Sequence, residues 1–272
     1  MYLLRTVVDL LVSGFRFPDI SGLQESRTPN INCWLPPYGR TRLRIDDQVD
    51  VFYLHCPDSK TSLSETLGAV NEAFQLGYFK RFGLSNFFAE EVQNVYDLAK
   101  EKGYVLPTVY QGNYNPVARL QETLLFPTLR KLGIAFYAYS PLAGGFLTKT
   151  AADIKEGKGR FNDTVLQGVY KALYVKPAYI DALAKWEAAA AAESVTRAEL
   201  ATRWVAFNPL LKKERGDGII IGVSSNEQLE QTLNYLKKGK LSDEAIKAID
   251  DIWEAIKHEA PYDNFHRDTS SL

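Results

Sequence analysis

The chain has 272 residues, 46% hydrophobic and 24% charged, enough apolar material for one large core. With 32 Lys and Arg against 33 Asp and Glu the net charge is −1, and no basic stripe argues for nucleic acid. Cys33 and Cys56 have neither metal-site spacing nor a disulfide framework. Residues 1–12 are apolar, but Arg5 and Asp9 interrupt them well short of a membrane span, so no membrane association and a cytoplasmic location are expected.

In chain order, residues 1–45 show no clear period. Their prolines at 18, 29, 36 and 37 make residues 26–40 read as loop, and residues 43–48 read as the end of a helix. A short apolar run, Val49–Leu54, then closes on His55. Next, Ser62 with Glu65 three residues later forms a capping box, and Leu63, Leu67, Val70 and Phe74 follow at helical spacing up to Gly77. A second strand, residues 80–84, ends at Ser85-Asn86. The helix over residues 89–102 stops at Gly103. A third strand, P-T-V-Y-Q, ends at Gln111, and a helix over residues 121–131 stops at Gly133.

The fourth strand, I-A-F-Y-A-Y-S, runs into P-L-A-G-G. Residues 146–174 are then too long for an ordinary strand-to-helix loop, which marks them as a lid or binding loop. One helix opens at Pro177 and another is capped by Thr196 with Glu199. The fifth strand, G-I-I-I-G-V, leads into S-S-N-E-Q, where Ser225 and Gln228 form a further capping box. The last helix, residues 242–258, carries Ile246, Ile249, Trp253 and Ile256 on one face. Strands alternating with helices, each strand ending in polar residues, predict an α/β fold. Either an open doubly wound sheet or a (β/α)8 barrel satisfies that pattern. No G-x-G-x-x-G lies between a strand and a helix, which weakens the first of these.

The segments V-D-V-F-Y-L-H, K-R-F-G-L-S-N, P-T-V-Y-Q-G-N-Y-N, F-Y-A-Y-S-P-L-A-G-G-F-L-T and I-I-I-G-V-S-S-N-E-Q-L-E-Q occur in one order and spacing. In that order they resemble the aldo-keto reductase superfamily, in particular its aflatoxin aldehyde reductase branch, over roughly residues 43–260. The resemblance implies a TIM-barrel (β/α)8 fold that uses NADPH to reduce a small-molecule aldehyde or ketone. The matched motifs correspond to strands four to eight of such a barrel. The barrel is therefore expected to be incomplete, with residues 1–45 a divergent, loop-rich segment and residues 46–272 the reductase domain. Unpaired strand edges would make a homo-oligomer a natural outcome.

The family's chemistry uses an Asp, a Tyr, a Lys and a His, of which the resemblance carries over the His alone, onto His55. Residues 1–59 contain no lysine, and Tyr2, Tyr38, Asp9 and Asp19 stand outside the family's motifs. The cofactor positions carry over more fully. Ser85, Asn86 and Gln111 would bind the nicotinamide carboxamide, Tyr139 would stack on the ring, and Ser140, Leu142, Gly144 and Gly145 would follow the pyrophosphate. Ser224, Ser225, Gln228 and Gln231 would meet the adenosine end, with Thr232 where relatives carry Asn against the adenine, and Arg160 would contact the cofactor from the lid. Two functions are thus expected to compete: an NADPH-dependent carbonyl reductase, and a protein that kept the cofactor half without the chemistry. Cys56 is read as structural, Tyr262 and Phe265 as facing a substrate pocket, and His258 and His266 have no assigned partner.

Overall fold

The computed structural model describes residues 10–12, 30–35, 39–44, 48–162, 168–208 and 210–266. The chain divides into two compact units. One comprises Leu4–Gln111 with Pro127–Ala135, here the N-terminal unit. The other comprises Met1–Leu3, Gly112–Phe126 and Phe136–Leu272, the C-terminal unit. Parallel strands alternate with helices along the chain, which confirms the α/β class.

In the N-terminal unit, β1 (Leu10–Val12) pairs in parallel with β4 (Val49–Leu54), Leu10 opposite Phe52 and Val12 opposite Leu54. β5 (Phe79–Ser85) follows on β4, and β6 (Pro107–Asn113) on β5, also in parallel. Val51, Phe52, Tyr53 and Leu54 are all buried, the unbroken apolar pattern of a parallel strand covered on both faces. Between these strands lie α1 (Leu63–Gln75) and α2 (Ala89–Glu101). Ser62 caps α1 by accepting the Glu65 N–H at 3.2 Å, and Gly77 leaves the helix at φ +78°. At Gly83 an added Cβ would lie 2.6 Å from the Tyr53 ring, so β4 and β5 approach as closely as they do because that position has no side chain.

Two expectations for the early chain are overturned. Residues 30–35 and 39–40 are not loop: β2 (Asn30–Leu35) and β3 (Gly39–Arg44) form an antiparallel ladder, Asn30 opposite Arg44 and Leu35 opposite Gly39. Of the helix end expected at residues 43–48, Leu43 and Arg44 belong to the same ladder, and residues 45–47 lie outside the described residues. Arg40, Arg42 and Arg44 alternate with Thr41 and Leu43 at the period of a strand, and Pro36 and Pro37 fall between the strands, where proline is tolerated. The remaining residues of that segment, Tyr2, Asp9, Asp19 and Tyr38 among them, lie outside the described residues.

One helix was expected over residues 121–131, and two short ones are found: α3 (Gln121–Leu124) and α4 (Phe126–Leu132). Leu125 leaves helical geometry at φ −124°. Pro127, two residues on, has no N–H to continue the ladder and its ring excludes the carbonyl four residues back.

The C-terminal unit contains the end of β6, then β7 (Ala135–Tyr139, its first residue excepted) paired in parallel with the two-residue strand β8 (Gly218–Ile219). Ile220 extends that pairing through an N–H bond of 2.8 Å to the Ala138 carbonyl. The described residues of the long segment after β7, 146–162 and 168–174, carry short helical turns. Among them are α5 (Ala151–Lys155), capped reciprocally by Thr150 and Asp153, and α6 (Val169–Tyr174). Their aromatics build a local core: Phe146 stacks on Tyr174 at 5.7 Å and meets Phe161 at 6.0 Å. α7 (Pro177–Ala192) opens with proline in its first turn, and α8 (Arg197–Phe207) is capped by Thr196, as expected. α9 (Asn226–Lys237) and α10 (Asp243–Ile256) complete the unit, capped by Ser225 and Ser242. Among the described residues no helix is long and apolar enough to cross a membrane.

Candidate functional site

Polar residues at strand ends are brought together within each unit. In the N-terminal unit, Ser85 closes β5 directly opposite Gln111 of β6. Ser85, Asn86 and Gln111 are all buried, an unusual fate for three consecutive strand-end polar groups unless they hold something or each other. Asn86 takes a left-handed conformation, φ +56°, which asparagine tolerates better than most residues. Its Nδ2 donates to the His55 carbonyl at 2.8 Å and so ties the end of β5 to the end of β4. His55 itself is half-buried.

The turn after Asn86 is held from two further sides. The Phe87 N–H donates to the Tyr110 hydroxyl at 3.0 Å, and that hydroxyl donates to the Phe87 carbonyl at 2.8 Å. The Phe88 N–H donates to the Glu91 carboxylate at 2.7 Å, the reverse half of a capping box at the start of α2. Sequence pattern does not single out Tyr110, because a phenol that bonds backbone 23 residues away leaves no local pattern in the sequence.

In the C-terminal unit a cleft of about 470 Å³ gathers Tyr139, Ser140, Leu142, Gly144, Gly145, Arg160, Ser224, Gln228 and Thr232, with apolar walls from Ile220, Ile221 and Val223. Its size is typical of a small-molecule site. Ser225 and Gln231 do not line it. The Ser225 hydroxyl caps α9 by accepting the Gln228 N–H at 3.3 Å, and Gln231 is exposed on the helix.

Ser140 follows β7 in the left-handed conformation, φ +55°, which serine seldom adopts. Asn115 holds it there by donating Nδ2 to the Ser140 carbonyl at 3.1 Å. The Asn115 carbonyl oxygen meanwhile accepts the Val117 N–H at 3.1 Å. Asn113, buried beside it, donates to the Tyr174 hydroxyl at 3.1 Å. Burial pushes the Tyr174 phenol up to about 12. Burial also drives Tyr139 well above the usual phenol range, and the Asp263 carboxylate adds to that, so the Tyr139 ring is neutral at physiological pH.

Gly144 and Gly145 sit at φ +67° and +98°. At Gly144 a Cβ would lie 2.1 Å from the Tyr170 ring, so residues 142–145 can pack against the lid aromatic only with glycine there. Tyr170 in turn receives Arg160, whose guanidinium lies 5.3 Å from the ring centroid and donates to the phenol at 3.2 Å.

On the far wall the Gln228 carbonyl oxygen accepts both the N–H and the hydroxyl of Ser224 at 3.0 Å, which leaves its amide NH₂ as the donor for a ligand. Thr232 spends its hydroxyl proton on the Gln228 carbonyl at 2.7 Å and offers a ligand an acceptor and a methyl group. Among the described residues Arg160 is the sole charged side chain on the lining, and no carboxylate joins it. Glycine turns, hydroxyls, one guanidinium and the start of a 12-residue helix suit a phosphate-bearing ligand. The donor set therefore fits the dinucleotide that the sequence resemblance implies.

His266, unpartnered in the sequence reading, has its Nδ1 2.8 Å from the Asp263 carboxylate. The other Asp263 oxygen accepts the Phe265 and His266 N–H groups at 2.7 and 2.6 Å. Tyr262 is buried and Phe265 exposed.

Comparison with known proteins gives the family. The model of the aldo/keto reductase family matches residues 39–254. The oxidoreductase sirO of Leptosphaeria maculans is 42% identical over 215 residues, covering 79% of this chain and 65% of sirO. An aldo-keto reductase of Pseudocercospora fijiensis is 39% identical over 248 residues, 90% of this chain and 82% of that protein. A human aflatoxin B1 aldehyde reductase, member 2, is 43% identical over 224 residues, 79% of this chain and 62% of the relative. The chain belongs to the aldo/keto reductase family, in its aflatoxin aldehyde reductase branch. It spans 65% of the length of sirO and 62% of that of the human reductase.

Proposed function

We propose that the protein is a cytoplasmic, NADPH-dependent reductase of small aldehydes or ketones. The observation that carries this reading is the cleft of the C-terminal unit. Four separate chain segments converge there on a lining that, among the described residues, holds one guanidinium and no carboxylate. Arg160 and the first turn of α9 would receive the phosphates. Ser140, Leu142 and the Gly144-Gly145 turn would let the pyrophosphate approach the backbone, and Ile220, Ile221 and Val223 would give the adenosine an apolar wall. Ser85, Asn86 and Gln111 would hold the nicotinamide carboxamide, and Tyr139, neutral and rigid, would present a flat face for the ring.

The bound cofactor would supply the hydride that reduces the carbonyl carbon. The part of this chain is to orient: His55 would donate a hydrogen bond to the carbonyl oxygen and stabilise negative charge as it develops there. The lysine that tunes the family's acidic tyrosine has no counterpart among residues 1–59. A second reading is a protein that binds the dinucleotide without turning it over, since lack of a general acid would cost on the order of 10²–10⁴ in rate.

The test is NADPH oxidation by the purified chain with a reactive aromatic aldehyde, alongside His55→Ala and a fluorescence titration with NADPH and NADH. Turnover that disappears in His55→Ala supports the reductase. Binding without turnover supports the second reading, and absence of binding rejects both.

A further inference from the structure

We propose that Tyr110 is a positioning residue for the cofactor site: its hydroxyl sets the geometry of the Ser85-Asn86 strand end without itself touching the ligand. The inference rests on the cofactor reading above, and it names a group to which neither the sequence resemblance nor the family match gives a role.

Four hydrogen bonds converge on three consecutive residues. Asn86 bonds the His55 carbonyl through its side chain, Phe87 is bonded at both its N–H and its carbonyl, and Phe88 is bonded at its N–H. The middle contact is the unusual one. A single phenol accepts from and donates to the same residue, as a paired strand would, at a point where the chain has left the sheet for α2. Tyr110 and Phe87 are both buried, so no water can replace the phenol cheaply. Left-handed Asn86 immediately precedes the clamped residue, and its backbone can relax toward ordinary φ only if Phe87 moves. Tyr110 is also the residue before Gln111, so one strand supplies both a ligand-facing amide and, on its other face, the clamp for the neighbouring strand end.

The test compares wild type with Tyr110→Phe, which keeps the ring and removes the hydroxyl. Two ligands are titrated, NADPH and 2′,5′-ADP; the second carries the adenosine end and lacks nicotinamide. The expected result is an NADPH Kd raised about tenfold, with the 2′,5′-ADP Kd unchanged. Equal NADPH affinity in the two proteins overturns the proposal. Parallel loss of both ligands with a lowered melting temperature also overturns it, since the hydroxyl would then act on folding in general. If wild type binds neither ligand, the cofactor reading itself fails and takes the proposal with it. That outcome is told apart because it is read in the wild type rather than in the variant.

Discussion

The two polar clusters that the proposal assigns to the cofactor, one in each unit, sit in different solvent environments. At the ends of β5 and β6, Ser85 is 1% exposed, Asn86 3% and Gln111 6%. On the far wall of the cleft, Ser224 and Gln228 are exposed, as is the first turn of α9. The buried half is shaped by side chains that reach across strands, Asn86 to His55 and Tyr110 to Phe87. The exposed half is shaped by backbone, through glycines at positive φ and a helix start. Such a difference suits a ligand with a recognition end and a charged end. A nicotinamide carboxamide needs fixed hydrogen-bond geometry in a dry setting, whereas phosphates need charge and N–H groups and tolerate water.

The contrast is broken most severely at Gly144. Alanine there has to fit a Cβ 2.1 Å from the Tyr170 ring and to hold φ +67°. The combined cost is about 3 kcal/mol, from overpacking and left-handed strain together. Gly144→Ala is expected to lower the urea midpoint and abolish NADPH quenching, while Gly145→Ala, whose Cβ would meet just the Thr148 hydroxyl at 3.9 Å, costs the φ strain alone.

Alkaline pH probes the buried phenols of the C-terminal unit. Tyr174 is raised to about 12, and burial also raises Tyr139, Tyr179 and Tyr114. A raised phenol favours folding in its protonated form. Stability is therefore complete below the unfolded phenol value near 10 and is lost as pH climbs through 12. Tyr174 alone accounts for about 2–3 kcal/mol of that loss. Phenolate absorbance is expected to appear together with loss of circular dichroism between pH 10 and 12. Phenolate that forms in advance of unfolding would mean the rings are wetter than the structure shows.

Asn86 separates strain from hydrogen bonding in the buried half. Asn86→Gly keeps the left-handed backbone and loses the bond to His55, at a cost of about 1 kcal/mol. Asn86→Ala loses both and is expected to cost about 1 kcal/mol more. Urea unfolding of the two variants checks the gap. Equal losses would show that φ +56° is not strained here.

The sequence made the strand ends and the caps legible because both are local. His55, Ser85-Asn86 and Gln111 follow apolar runs, and Ser62, Thr196, Ser225 and Ser242 announce the helices they cap. Three features escaped for physical reasons. The alternation of Arg40, Arg42 and Arg44 was outweighed by the prolines before it, although prolines between strands are no obstacle to pairing. Pro127 was passed over inside a helical period that it in fact breaks. The bonds of Tyr110 and Asn115 span 23 and 25 residues, and no periodicity encodes them. Family likeness singles out Gly144, but the reason glycine is required there is a ring 26 positions away.

The smallest expected effect tests the exposed half. Ser225 caps α9 and does not line the cleft, so Ser225→Ala removes the acceptor for the Gln228 N–H. The helix is amphipathic and docked, and loss of one exposed cap costs about 1 kcal/mol. Gln228 would keep its bonds to Ser224, because those run through its side-chain carbonyl. NADPH affinity is therefore expected to fall by less than about threefold, in step with fraying of the first turn, while amide exchange quickens at residues 226–229. A larger fall in affinity without faster exchange would place the Ser225 hydroxyl on the ligand, where the family likeness puts it, and would make α9 part of the recognition surface as well as its support.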